Sequence, residues 1–206
     1  MEDRLRPSTY ARADIDLRER DVLWKEWGRL ERYRLRHRRY DGSWSNEIVR
    51  EVYTNSEVAT VLPYDPALDA VALVEQFRPC GLAWDEATWI FEVIAGVKEP
   101  GETPEQVARR EAEEEAKCQL RATHQITTAY SSPGALGEKA FMFAATADLS
   151  NVGGNHGLAN ENEDIRAVVV PLDDALAAID DGRLCEVKTM FSILWVARNK
   201  ARLSAG

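Results

Sequence analysis

Between Gly96 and Cys118 the chain reads GVKEPGETPEQVARREAEEEAKC, and this piece limits what the rest can be. Thr103 can cap a helix, Pro104 suits the first helical position, and Gln106 completes a capping box, so a helix is expected from Pro104. At about 100° per residue, Val107, Ala108, Glu111, Glu115 and Cys118 share one side, while Gln106, Arg109, Arg110, Glu113 and Lys117 fall on the other. Glu111 and Glu115 therefore sit one turn apart on an apolar face. There they repel each other and lose hydration, a costly placement unless cations or strong donors compensate. A hard divalent ion such as Mg²⁺ does so, keeping waters for a phosphate-bearing substrate. The plain alternative is a solvated Glu/Arg-rich helix, the usual fate of a charge run; the company of apolar residues favours the ion.

A chain of 206 residues, 45% hydrophobic and 30% charged, suits one globular domain with an elaboration, or two small ones. Its net charge of −9 argues against a nucleic-acid partner and leaves small phosphorylated substrates open. Cys80, Cys118 and Cys185 are isolated, with no CxxC and no His at ligand spacing, and read as reduced core thiols. MEDRLRPSTY has no apolar run, and no stretch reaches the roughly 18 apolar residues of a membrane span, so the cytoplasm is expected.

Residues 1 to about 22 carry little pattern and are expected to fray. RLERYRLRHRRY (29–40) and SNEIVREVYT (45–54) flank Asp41-Gly42, a hairpin signal, giving an N-terminal β-ribbon. Its six arginines (29, 32, 34, 36, 38 and 39) invite a phosphate reading, but alternation puts them mostly on one solvated face that acids can neutralise. An exposed ribbon needs its edge covered, and a second subunit would do this. VATVLPYD and AVALVEQFR follow as strands, with 63–69 as the turn between them. TWIFEVIAG is one more strand, delivering the chain into Gly96. Beyond the helix, QITTAYSSPG and KAFMFAATAD are strands about a Pro133-Gly134 turn, NVGGNHGLANENEDI is a loop too polar to pack, and IRAVVVPL is a strand. DDALAAIDDG and EVKTMFSILWVARNKAR close the chain as helices. The order gives a mixed α/β layered fold.

The central piece also resembles a known family. Gly96, Glu102, Arg110, Glu111, Ala112, Glu114 and Glu115 satisfy the Nudix box in register, with Cys118 at an apolar position; Lys117 stands where the family has glycine. Glycine there serves a left-handed helix cap, so lysine would cost on the order of 1 kcal/mol if that conformation is kept; a loop adjustment is expected instead. Over about residues 22–200, YRLRHRRYDGSWSNEIVREVY, VLPYDPALDAVALVEQFRP, SSPG and HGLANENEDIRAVVV resemble the bacterial ADP-ribose diphosphatase subfamily, marked also by a proline matched by Pro133. The resemblance implies an α/β/α sandwich with an N-terminal β-ribbon extension, divided as 1–55 for dimerisation and substrate binding and 56–206 for hydrolysis. It implies a homodimer with exchanged N-terminal regions that uses two or three Mg²⁺ ions, or Mn²⁺, to split ADP-ribose into AMP and ribose 5-phosphate. A hydrolase of another nucleotide sugar such as GDP-mannose, and a silent ADP-ribose or NAD sensor, are the competing expectations.

Carried over by position, the metal ligands are the Ala95 carbonyl, Glu111 and Glu115, with Glu163 as an additional one; the catalytic base is Glu161. Arg50 and Arg78 match substrate-binding arginines, whose fixed fork suits phosphate oxygens. Trp27 stands where an aromatic residue stacks on adenine. Glu138 matches a carboxylate near the ribose end, although its neighbours ALGEK depart from the usual pattern. Glu102, Arg110 and Glu114 orient the helix and its ligands from behind.

Overall fold

The arginine-rich N-terminal stretch forms a three-stranded antiparallel sheet, β1 (Ile15–Lys25), β2 (Arg29–His37) and β3 (Ile48–Thr54), in the order β1-β2-β3. The computed structural model describes residues 8–54, 56–158 and 162–204. The chain gathers into two compact units, Met1–Ser56 with Ser132–Glu138, and Glu57–Ser131 with Lys139–Gly206.

In the first unit β1 takes the place of the fraying expected up to about residue 22, of which residues 1–7 lie outside the described residues. The reason is cross-strand charge: Asp16 lies opposite Arg36, Glu19 opposite Arg34 and Asp21 opposite Arg32, and these pairs close at 2.7, 3.0 and 2.8 Å. Opposed charges on facing strands stabilise a pair by about 0.2–1 kcal/mol each. Glu31, 2% exposed, accepts from the Tyr33 hydroxyl at 2.8 Å and from Arg20 at 2.7 Å. Asp41-Gly42 lies in the turn that follows β2, with Gly42 at φ +82 and the Asp41 carboxylate accepting from Ser43. The returning segment 132–138 is tied to β3 by Tyr53 N–H to the Ala135 carbonyl and Gly137 N–H to the Tyr53 carbonyl.

The second unit holds a mixed sheet built from β4 (Glu57–Asp65), β5 (Ala70–Phe77), β6 (Trp89–Glu92), β7 (Ile94–Val97), β8 (Leu120–Tyr130), β9 (Lys139–Ala147), β10 (Gly154–His156) and β11 (Ile165–Pro171). Its order is β10-β11-β5-β4-β9-β8, with β6 on β5 and β7 on β4. Three helices cover it: α1 (Pro104–Ala116), α2 (Leu172–Asp180) and α3 (Val187–Leu203). On one face Ala59, Val61, Ala72, Val74 and Ile94 pack against Val107, Ala108, Ala112 and Ala116 of α1. On the other, Leu62, Tyr64, Val71 and Leu73 pack against Leu172, Ala175, Ile193 and Val196 of α2 and α3. Alternate residues of β4 and β5 thus feed two cores, which is why both strands read as unbroken apolar runs. The result is the expected α/β/α sandwich.

Several details depart from the sequence reading. Pro63 belongs to β4, not to the turn; its partner on β9 is Ala145. It stands where pairing to β7 has ended at Val61 and pairing to β5 begins at Tyr64, a gap that tolerates a missing N–H. The run from Trp89 to Val97 is two strands rather than one, broken at Val93, whose N–H donates to Thr189 Oγ1 at 2.8 Å. Within the polar loop, Gly154–His156 pairs with β11, because an edge strand needs main-chain partners rather than an apolar side. Of the three free thiols only Cys118 is in the core; Cys80 and Cys185 are exposed. Lys117 adopts the left-handed conformation (φ 50, ψ 34) with no loop adjustment, its N–H reaching the Glu113 carbonyl while the Cys118 N–H reaches that of Ala112.

Candidate active site

Helix α1 starts as its sequence dictates: Thr103 Oγ1 accepts from Gln106 N–H at 3.3 Å and Gln106 Oε1 from Thr103 N–H at 2.8 Å. Along this helix Glu111 and Glu115 face β7, at Gly96 and Ala95. Glu115 is 2% exposed and accepts from the Ala95 N–H at 3.3 Å. Burial pushes its carboxyl well above the usual range, and the charges of Glu111 and Glu163 push the same way. The Ala95 amide and Arg78 pull against them. Glu111 is raised too, by burial first, with Arg110 opposing and Glu114 and Glu163 adding.

Glu111 lies flat against the backbone of β7. A Cβ on Gly96 would stand 1.6 Å from Glu111 Oε1 and 2.4 Å from its Cγ, so only glycine admits the carboxylate there. Behind it, every N–H of Arg110 is engaged. Nε and Nη2 reach Glu102 at 3.1 and 3.3 Å, Nη1 reaches Glu111 at 2.7 Å and Glu114 at 3.0 Å, and Nη2 also meets the Val97 carbonyl at 3.4 Å. The hydrogen bond to Glu102, with the negative charges of Glu111 and Glu114, raises the Arg110 pKa further above its already high value. Glu102 also accepts from Glu99 N–H at 3.0 Å, shaping the loop.

Glu163, half-buried on the loop before β11, accepts from Leu158 N–H at 3.3 Å, and its charge acts on both helix glutamates. Arg78, at the end of β5, donates Nε to Glu92 at 2.8 Å. Its two terminal amino groups have no protein partner among the described residues. Burial raises the Glu92 carboxyl, against the pull of Arg78. This pair follows from Glu92 lying opposite Val74, a register that no local sequence signal reveals.

Glu111, Glu115, Glu163, Ala95 and Arg78 thus belong to the second unit, with Glu102, Arg110 and Glu114 behind them. Trp27, Arg50, Pro133 and Glu138 belong to the first. There Trp27 is 72% exposed rather than packed, Arg50 Nη1 donates to the Val49 carbonyl, and Pro133 is exposed in a turn. Glu161 lies outside the described residues.

The donor set suits a hard cation: two acids whose charge is unfavourable where they stand, a third within electrostatic reach and a main-chain carbonyl. Among the described residues no three His, Cys, Asp or Glu side chains close on one point. Water or substrate oxygens would complete the coordination, as Mg²⁺ prefers. One buried and one half-buried acid, an arginine that braces Glu111 and a glycine that makes room for it are thus gathered at one place. Residues 54–188 match the NUDIX domain family. The chain belongs to the Nudix hydrolase family. Among its Nudix relatives, the ADP-ribose pyrophosphatase of Escherichia coli K12 is 35% identical over 190 residues, covering 92% of this chain and 91% of the relative. The Haemophilus influenzae ADP-ribose pyrophosphatase is 34% identical, covering 94% and 91%. A GDP-mannose pyrophosphatase of Pectobacterium atrosepticum is 34% identical, covering 85% and 90%. The Nudix fold is also shared with a crystal structure described as an ADP compounds hydrolase, at TM-score 0.69 and 18% identity, covering 92% of this chain and 96% of that one.

Proposed function

We propose that this Nudix hydrolase splits the diphosphate of ADP-ribose, with water, into AMP and ribose 5-phosphate. The observation that carries the reading is the Glu111–Glu115 pair, the first half-buried and braced by Arg110, the second buried, both held where charge is costly. The names of the relatives that match nearly the whole chain support ADP-ribose as the substrate.

Glu111, Glu115 and the Ala95 carbonyl would hold a divalent cation, with Glu163 as a further ligand. Bound there, Mg²⁺ or Mn²⁺, two or three per site, neutralises the diphosphate and acidifies the attacking water. Arg110 holds Glu111 in place before substrate arrives. Arg78, its terminal amino groups without a protein partner among the described residues, clamps phosphate oxygens. Glu161 takes the proton of the water as the P–O bond to the departing phosphate breaks. Trp27 stacks on the base, Arg50 and Glu138 meet the phosphates and ribose, and Pro133 shapes their turn. Two copies are expected to work together, because the first unit leaves Ile15, Leu17, Val22 and Trp24 of its edge strand exposed. No described helix is long and apolar enough to cross a membrane; the cytoplasm is the proposed compartment.

Chromatographic analysis of products from ADP-ribose, ADP-glucose, GDP-mannose and NADH with Mg²⁺ tests this. AMP from ADP-ribose, abolished by EDTA, is expected. A second reading, GDP-mannose hydrolysis, is favoured by the Pectobacterium relative, and a clear preference for that sugar would replace the first.

A further inference from the structure

The side-chain amide nitrogen of Gln76 has no hydrogen-bond partner among the described residues, and the residue is only 7% exposed. A buried donor left unpaired is costly, so a fold that keeps one has a use for it or supplies an acceptor from outside. Its position indicates which.

Ala72 and Val74, four and two residues earlier on β5, pack against Val107, Ala112 and Ala116 of α1. Alternation along the strand turns Gln76 to the same side of the sheet. Two residues further on, Arg78 pairs with Glu92 and is the cation whose charge acts on Glu115. Gln76 is thus bracketed between a residue packed under α1 and a residue whose charge acts on Glu115 of that helix. Opposite it on β6 is Ile90, which offers no side-chain acceptor.

We propose that Gln76 is a substrate-binding residue whose amide N–H donates to a phosphate oxygen of the bound diphosphate. The inference rests on the hydrolase reading and extends it by one ligand. The chemistry selects the acceptor. Cation-bound waters turn hydrogens outward and are poor acceptors for an N–H, whereas a phosphate oxygen arriving beside the acids brings free lone pairs. A neutral amide suits this place better than another lysine or arginine. It grips an anion without adding a positive charge that would compete with a cation for Glu111 and Glu115.

Gln76→Met keeps the length of the side chain and removes the donor. Three measurements decide: thermal unfolding, steady-state hydrolysis of ADP-ribose with Mg²⁺, and calorimetric binding of a methylene-bridged, non-hydrolysable ADP-ribose analogue. The expected variant unfolds at or above the wild-type temperature, since an unsatisfied buried donor is gone. Its kcat/KM falls roughly 10- to 100-fold, and analogue affinity falls with it. Gln76→Glu, nearly isosteric, is expected to lose more, because its charge faces the diphosphate; it carries the test if the methionine variant fails to fold. Wild-type kcat/KM and analogue affinity in either folded variant overturn the assignment. If the wild-type protein itself releases no AMP, the hydrolase reading falls first and this one with it.

Discussion

Gly96→Ala adds one methyl group at the most crowded point of the site. The new Cβ would stand 1.6 Å from Glu111 Oε1, where ordinary contact begins at 3.4 Å, so the carboxylate must retreat by about 1.8 Å, the difference of the two. For the fold this is a modest demand. The clashing atoms are the end of one side chain, and the loss is chiefly the 2.7 Å Arg110–Glu111 pair, whose side chains are 32% and 13% exposed. About 1 kcal/mol, or 2–4 °C in Tm for a chain of this size, covers it. For catalysis the demand is severe, because a misplacement near 1 Å costs about 100-fold in rate. ADP-ribose turnover should therefore drop at least 100-fold while calorimetric unfolding shifts only a few degrees. Activity within threefold of wild type would refute the reasoning, since Glu111 would then tolerate a displacement that no ligand of a reacting diphosphate could.

Glu115→Gln should abolish measurable turnover yet stabilise the EDTA-treated protein at neutral pH. The buried carboxyl has a folded pKa above its ordinary 4.5, so its contribution is full below that value and is lost as pH rises through the folded pKa. A Tm-versus-pH series in EDTA should show that decline in the wild type and not in the variant. Glu31 has the opposite sign. Burial pushes its carboxyl up, but hydrogen bonds from Tyr33 and Arg20, with the Arg29 guanidinium 3.2 Å away, outweigh this and leave it lowered. Its stabilisation is present above 4.5 and lost as pH falls through the lower folded value, and Glu31→Gln should cost about 1–3 kcal/mol in chemical denaturation. Lys117→Gly should raise stability by roughly 0.5–1 kcal/mol without altering kcat, because it relieves a left-handed lysine at the cost of a 3.9 Å contact with Glu113. A lower Tm would show that the lysine is unstrained.

Much of the sandwich and of α1 was legible because the signals are local. Thr103, Pro104 and Gln106 act within one turn, and helical periodicity alone puts Glu111 and Glu115 together. What escaped depends on pairing at a distance. Residues 15–25 look featureless until each acid finds its arginine on the neighbouring strand. Nothing in TWIFEVIAG marks Val93 as a break, since the break exists only because β5 and β4 each claim part of the run. Segment 132–138 joins the first unit through main-chain bonds to Tyr53, which leave no trace in side-chain pattern. The Gly96 contact with Glu111 needs the third dimension for the same reason.

Arg110 has a saturated guanidinium: all five of its hydrogens already point at Glu102, Glu111, Glu114 or Val97. It has no valence left for an incoming anion, so its influence on turnover must pass through the stiffness of the glutamate beside it. Lysine at this position would keep the charge but could not span all four partners. The carboxylate would then swing before any ligand arrived, and disorder in the resting protein, rather than weaker attraction for the nucleotide, would set the penalty.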